Sequence, residues 1–309
     1  MSYPYFDAHC DTISVCSQRG CRLRRNDGQL DLQRLQSYRP CAQIFALFHD
    51  AAAPPEDGMF AECCRQYETF LAEMQRNGDT IAFCRDGQSV NMANNYGLMA
   101  ALLSIEGADL IECDPEKLGL VQQWGVKCIN ITWNRANILS GSCVEEPERG
   151  LSDLGRTFVR RAQELGILID VSHLSDAGFW DVMDITAKPV IASHSNSRSI
   201  CPHPRNLTDE QFRAIVSTCG FVGLNLFADF IGTPATAEHL TDHIAHFLEL
   251  GGEKTLGFGC DWDGCDHLPE GIRGVQDLPE LLPALRKRKY KEKFLSDLFY
   301  GNLLSVLRR

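Results

Sequence analysis

Eight short apolar runs recur along the 309-residue chain, each followed by a longer, more polar segment. The runs are 4–11, 41–49, 100–106, 126–133, 166–173, 188–194, 220–227 and 255–261. They are rich in β-branched and aromatic residues and too short for ordinary helices. Near-continuous apolarity is what strands buried on both faces show in parallel sheets. Between them, 58–77 places Phe60, Cys63, Tyr67, Phe70 and Met74 at helical spacing. Residues 152–165 open on Ser152, a helix N-cap, and are expected to bury Leu154, Phe158, Ala162 and Leu165. Thr208 and Gln211 form a capping box, and 236–250 is a further amphipathic stretch. This alternation predicts an α/β fold, a (β/α)8 TIM-type barrel, read as a single domain over 1–309. An open doubly wound sheet is the rival architecture. The polar stretch 78–99 reads as a surface excursion.

Composition removes several functional classes. The formal net charge is −11, against a general nucleic-acid binder, which needs an excess of Lys and Arg. The basic runs 22–25 and 286–293 then read as solvated faces. No apolar run reaches the length of roughly 18 residues that spans a membrane. The start, MSYPYFDAHCDT, lacks the basic and apolar regions of a secretory signal, so a cytoplasmic protein is expected. Its 14 cysteines are then expected to be reduced thiols.

The informative feature is how the runs end. His9 and Asp11 close the first, Glu106 the third, His173 the fifth, His194 the sixth and Asp261 the eighth. Barrel active sites are built at the C-terminal ends of the strands. His9 and Asp11 stand two apart, so in a strand they share a face. Three imidazoles and three carboxylates suit zinc-like ions. Six ligands exceed the need of one open catalytic ion, so the set predicts two divalent ions, most naturally Zn2+, sharing a bridging carboxylate. Glu106 follows LLSI, where an unpaired carboxylate is costly. His239, His243 and His246 recur at helical spacing on what reads as a solvated outer helix face. His49, His203 and His267 fall in loops that could line the mouth.

At these residues the chain resembles the membrane dipeptidase (renal dipeptidase) family, peptidase family M19. The matching segments are FDAHCDT, LLSIEGAD, ILIDVSHLSD, VIASHSNSRSICPHPRNLTDE, GFGCDWDG and PEGIRGVQDLPEL. They run over nearly the whole chain. The resemblance implies a binuclear zinc barrel that hydrolyses dipeptides, including those with a C-terminal D-residue, and a soluble bacterial-type member that forms homodimers. It implies that His9 and Asp11 bind one ion, that His173 and His194 bind the other, and that Glu106 bridges. Asp261 matches the acidic residue that touches the metals and handles the proton, and Arg205 the arginine that holds the substrate carboxylate. One position departs: where animal members carry a His, this chain has Trp133, which can donate a hydrogen bond but carries no charge. Asn134 or Arg135 are candidates for its role at the oxyanion. The alternatives are a hydrolase of the same fold acting on N-acyl-amino acids, lactones or phosphoesters, and, remotely, a non-catalytic metal or peptide binder.

Overall fold

The computed structural model describes residues 3–308. Its strands are β1 (Tyr5–Asp7), β2 (Cys41–Phe48), β3 (Ile81–Phe83), β4 (Met99–Glu106) and β5 (Val126–Asn130), followed by β6 (Leu168–Asp170), β7 (Val190–Ala192), β8 (Phe221–Leu224) and β9 (Leu256–Phe258). Every pairing between them is parallel. β1 pairs with β9, and β2 pairs directly with β4, so eight strands close a ring and the doubly wound alternative is excluded. The helices that carry the chain back are α1 (Thr12–Arg19), α2 (Met59–Arg76), α3 (Gly87–Asn95), α4 (Leu118–Trp124) and α5 (Asp153–Glu164), then α6 (Asp176–Ile185), α7 (Asp209–Ser217), α8 (Ala237–Glu249) and the C-terminal α9 (Asn302–Leu307).

The ninth strand corrects the reading of 78–99 as an irregular excursion. β3 pairs with Met99–Ala101 at the foot of β4, on the edge that β5 occupies from Leu103 onward. It escaped notice because it is three residues long and only Ile81 is fully buried. α3 follows on a capping box between Asp86 and Ser89. It buries only Gly87, Val90 and Ala93, so it lacks a wide apolar stripe. Leu154 is a smaller correction. It sits in the first turn of α5 and is 39% exposed, whereas Phe158 and Ala162 are buried as expected.

One end of the barrel is closed by side chains. Phe6, Ala42, Ala100, Cys128, Ile191 and Phe221, from six different strands, share one cluster with Leu303, Leu304, Val306 and Leu307 of α9. Strands all around a ring meet in one cluster only inside it, so α9 seals the N-terminal end. The opposite end is left for a site. The loops there are held by helix caps: Thr208 accepts from Gln211 N and Gln211 Oε1 accepts from Thr208 N. Thr208→Ala should cost about 1 kcal/mol of stability in urea unfolding, with turnover unchanged. No measurable loss would mean that this box does not hold α7.

Candidate metal centre and active site

Each proposed ligand stands at or just past the C-terminal end of a strand. Glu106 is the last residue of β4; His9 and His194 follow β1 and β7 by two residues, and His173 and Asp261 follow β6 and β9 by three. β1 stops at Asp7, so His9 and Asp11 do not share a strand face as expected. Beyond the strand Cys10 bridges Trp262, and Asp11 takes the N-cap position of α1. The side chains converge nonetheless: His9, Asp11 and Asp261 each offer a ligand atom within 4.8 Å of the others.

Glu106 lies at the centre. Its Oε2 is 3.3 Å from His9 Nε2, while Oε1 is 2.9 Å from His173 Nε2 and 3.5 Å from His194 Nε2. The two faces of one carboxylate therefore address two groups of ligands. His173 Nδ1 is 2.9 Å from Asn134 Oδ1, an acceptor without hydrogen, so that nitrogen donates and Nε2 keeps its lone pair toward Glu106. His194 Nδ1 meets the Ser193 hydroxyl, a group that can donate or accept, at 2.7 Å.

The electrostatics of the cluster call for a cation. Burial, reinforced by Glu106, pushes Asp11 well above the carboxylate range and raises Asp261. Burial opposes ionisation of Glu106 too, yet His9 and His173 hold it below the usual range. His9 is drawn down by burial but lifted by Glu106, Asp11 and Asp261, to about 10. Burial and Arg205 depress His173 to about 3, and burial with His9 keeps His194 well below the usual imidazole value. His9 Nε2 and Asp11 Oδ1 are buried without a hydrogen-bond partner. A Cβ on Gly264 would lie 2.3 Å from Asp11 Oδ2 and 2.4 Å from Asp261 Oδ1, so only glycine leaves those oxygens room. Orphaned ligand atoms, crowded carboxylates and imidazole Nε2 atoms turned toward one carboxylate fit a divalent metal. His173 and Asp261 also hold positive φ, 70° and 64°, a conformation that costs of order 1–3 kcal/mol and is tolerated where a site over-determines it.

A cavity of about 400 Å³ opens over this cluster. Phe48, Trp133, Phe227 and Phe230 form apolar wall, and Arg205 is the only Lys or Arg among its lining residues. Arg205 is 5% exposed. Its Nη2 lies 3.1 Å from His173 Nε2 and 3.3 Å from the His194 carbonyl, and its guanidinium sits 5.4 Å above the Phe230 ring. Trp133 packs on Phe48 at 4.9 Å between ring centres. Asn134 is engaged by His173, and Arg135 turns away to pair with Asp50 and Glu145.

Other histidines sort by burial. His239 and His246 are half-buried on α8, the latter bonded to Asp209. His243 corrects the solvated-face reading. It is fully buried, accepts from Ser197 N at 3.0 Å, and donates to the Ile231 carbonyl. Burial pushes it down to about 4, so the ring is neutral. His49, His203 and His267 lie outside the cavity lining, although His203 packs on Phe230 and His267 on Phe227. Arg24, Arg286 and Arg288, from the two basic runs, pair with surface acids, and Cys10, Cys63 and Cys128 are buried thiols. Sequence reasoning missed Asn225, one residue past β8, which donates to Asp261 Oδ2 at 3.0 Å. A polar residue inside the apolar run GFVGLNLF was the available signal.

Imidazoles and carboxylates gathered at the open end of a sealed (β/α)8 barrel mark a metal-dependent enzyme. The family model described as membrane dipeptidase (peptidase family M19) matches residues 1–309, so the chain belongs to that family and is a metallo-dipeptidase. A metallo peptidase from Rhodobacter sphaeroides, solved with a phosphinate mimic of the dipeptide L-Ala-D-Ala, superposes with a TM-score of 0.91 at 25% identity, covering 100% of this chain and 99% of that one. The dipeptidase AC structure gives 0.91 at 27% identity with the same coverage. Dipeptidase aclJ of Aspergillus oryzae is 29% identical over 293 residues, 91% of this chain and 69% of its own. No helix among the described residues is long and apolar enough to cross a membrane.

Two substitutions separate ligands from scaffold. Glu106→Ala should strip most bound metal, as read by elemental analysis after dialysis; full retention would remove it from the centre. His243→Ala should lose about 1–3 kcal/mol of stability with metal content unchanged, because it orphans Ser197 N and the Ile231 carbonyl. Loss of metal in that variant would move the site toward α8.

Proposed function

We propose that the chain hydrolyses free dipeptides, including those ending in a D-residue, at two divalent ions, most naturally Zn2+, that share Glu106. In this reading His9, Asp11 and Glu106 would hold one ion and Glu106, His173 and His194 the other, with Asp261 facing the pair. When bound, the ions polarise the peptide carbonyl and acidify a water near neutral pH. Asp261, steadied by Asn225, takes the proton from the attacking water and delivers it to the leaving amine. Apolar rings of Phe48, Trp133, Phe227 and Phe230 receive the substrate's side chains and exclude water. Trp133 contributes wall rather than charge, and Asn134 orients His173 rather than the substrate.

The observation that carries the dipeptide reading is Arg205. A buried guanidinium normally needs a counter-ion, and among the described residues no carboxylate pairs with it within 4.0 Å. It faces the cavity beside the ligand cluster, where a substrate's free carboxylate completes a bidentate pair. That anchor fixes the distance from carboxyl end to scissile bond and so selects dipeptides. The mimic of L-Ala-D-Ala bound by the Rhodobacter sphaeroides relative supports both the substrate length and the D-residue.

Arg205→Ala should lower kcat/KM for free dipeptides by roughly 30- to 1000-fold, the equivalent of a desolvated charged pair of about 2–4 kcal/mol. Dipeptides amidated at the C-terminus should be poor substrates of the wild type and lose far less on substitution. Metal content should not change, since a guanidinium is not a ligand. Equal losses for free and amidated substrates would make Arg205 structural and withdraw the carboxylate anchor.

A further inference from the structure

Two buried carboxylates near the centre have no place in the chemistry above. Asp7 ends β1 and Asp170 ends β6; they are 0% and 1% exposed, and among the described residues no Lys or Arg pairs with either. Neither belongs to the groups of side chains able to hold an ion. Each accepts from two main-chain N–H groups. Asp7 Oδ1 accepts from His9 N at 2.9 Å and Oδ2 from Cys260 N at 2.8 Å. Asp170 Oδ1 accepts from Ser172 N and Ser193 N, both at 3.0 Å.

The four donors share a property. His9 is itself a proposed ligand, and Cys260, Ser172 and Ser193 each immediately precede one: Asp261, His173 and His194. Each aspartate also spans two neighbouring strand ends, β1 with β9 and β6 with β7. We infer that Asp7 and Asp170 are positioning residues, one for each half of the metal centre, that hold paired ligand-bearing strand ends in place before any metal binds. The inference rests on the two-ion reading of the site.

Chemistry favours a carboxylate in this place. Past the ends of β1, β6, β7 and β9 the regular ladder stops, and buried N–H groups there need an acceptor. One carboxylate offers several lone pairs and reaches two strands at once. At Asp7, whose two oxygens each meet an N–H, asparagine turns its NH2 group toward one of those donors; at Asp170 both N–H groups meet one oxygen, so alanine is the change that removes their acceptor. Asp7 is reinforced by a buried chain of bonds: Trp262 Nε1 donates to Tyr5 Oη, Tyr5 to Gln43 Oε1, and Gln43 Nε2 to Asp7 Oδ1, at 3.1, 2.6 and 3.1 Å. Around Asp170, Ser172 Oγ accepts from His194 N at 3.2 Å, and the Ser193 hydroxyl supports His194 Nδ1. Each aspartate thus acts on the ligands through the main chain and never touches the ions. Removal of such an outer partner typically weakens metal binding about 10- to 100-fold.

The test is zinc release from the full-length enzyme under graded chelator, read as moles of zinc per chain beside the melting temperature. The wild type should hold two zinc ions; a single ion would overturn the two-ion reading, whatever the aspartates do. Asp7→Asn should weaken one release step about 10- to 100-fold and leave the other, Asp170→Ala should weaken the opposite step, and the double variant both. If both single variants weaken the same step, or both steps fall in proportion to the melting temperature, the aspartates are general scaffold and the inference fails. A measurement on the wild type needs no variant to fold. In hydrogen exchange, the amides of His9, Cys260, Ser172 and Ser193 should stay protected after the metal is stripped. Free exchange in the stripped enzyme would show that the ions, not the aspartates, hold the strand ends.

Discussion

The site depends on one buried carboxylate with imidazole on both faces. Glu106 is 3% exposed and its two oxygens address His9 on one side and His173 with His194 on the other. A carboxylate so placed is tolerable only if its charge is matched nearby. The barrel makes the match possible, because closure of β4 against β2 and β5 puts the end of β4 within reach of strand ends all around the ring. An open sheet would leave β1 and β9 at opposite edges and His9 far from Asp261.

The surroundings divide the work. Asn134, Ser193 and Asn225 fix which atoms of His173, His194 and Asp261 face inward. Gly264 leaves space where any side chain would displace Asp11 and Asp261. Positive φ at His173 and Asp261 shows that local backbone preference yields to the demands of the cluster. Arg205 is the one Lys or Arg on the cavity wall, beside the ligand cluster.

The barrel and most of the cluster were legible because their signals are local. A strand buried on both faces reads as an apolar run, and a charged or imidazole side chain that ends such a run stands out: Glu106 after LLSI is the clearest instance. What escaped depends on tertiary contact. β3 is too short to show as a run, and it exists because the foot of β4 leaves an edge free. His243 looked solvated when grouped with His239 and His246. It belongs instead with Leu240, Ile244 and Phe247, the buried stripe of α8 at i, i+3, i+4 and i+7. Asp7 and Asp170 stand inside apolar runs as Glu106 stands at the end of one. Nothing in the sequence tells a carboxylate that faces a metal from one that faces backbone N–H groups.

The central claim is that Glu106 joins two ions. Anomalous diffraction at the zinc edge from crystals of the zinc-loaded enzyme tests it directly. The account predicts two peaks about 3.5–4 Å apart, one on each carboxylate oxygen of Glu106. A single peak, or two peaks with Glu106 bound to only one of them, would contradict it.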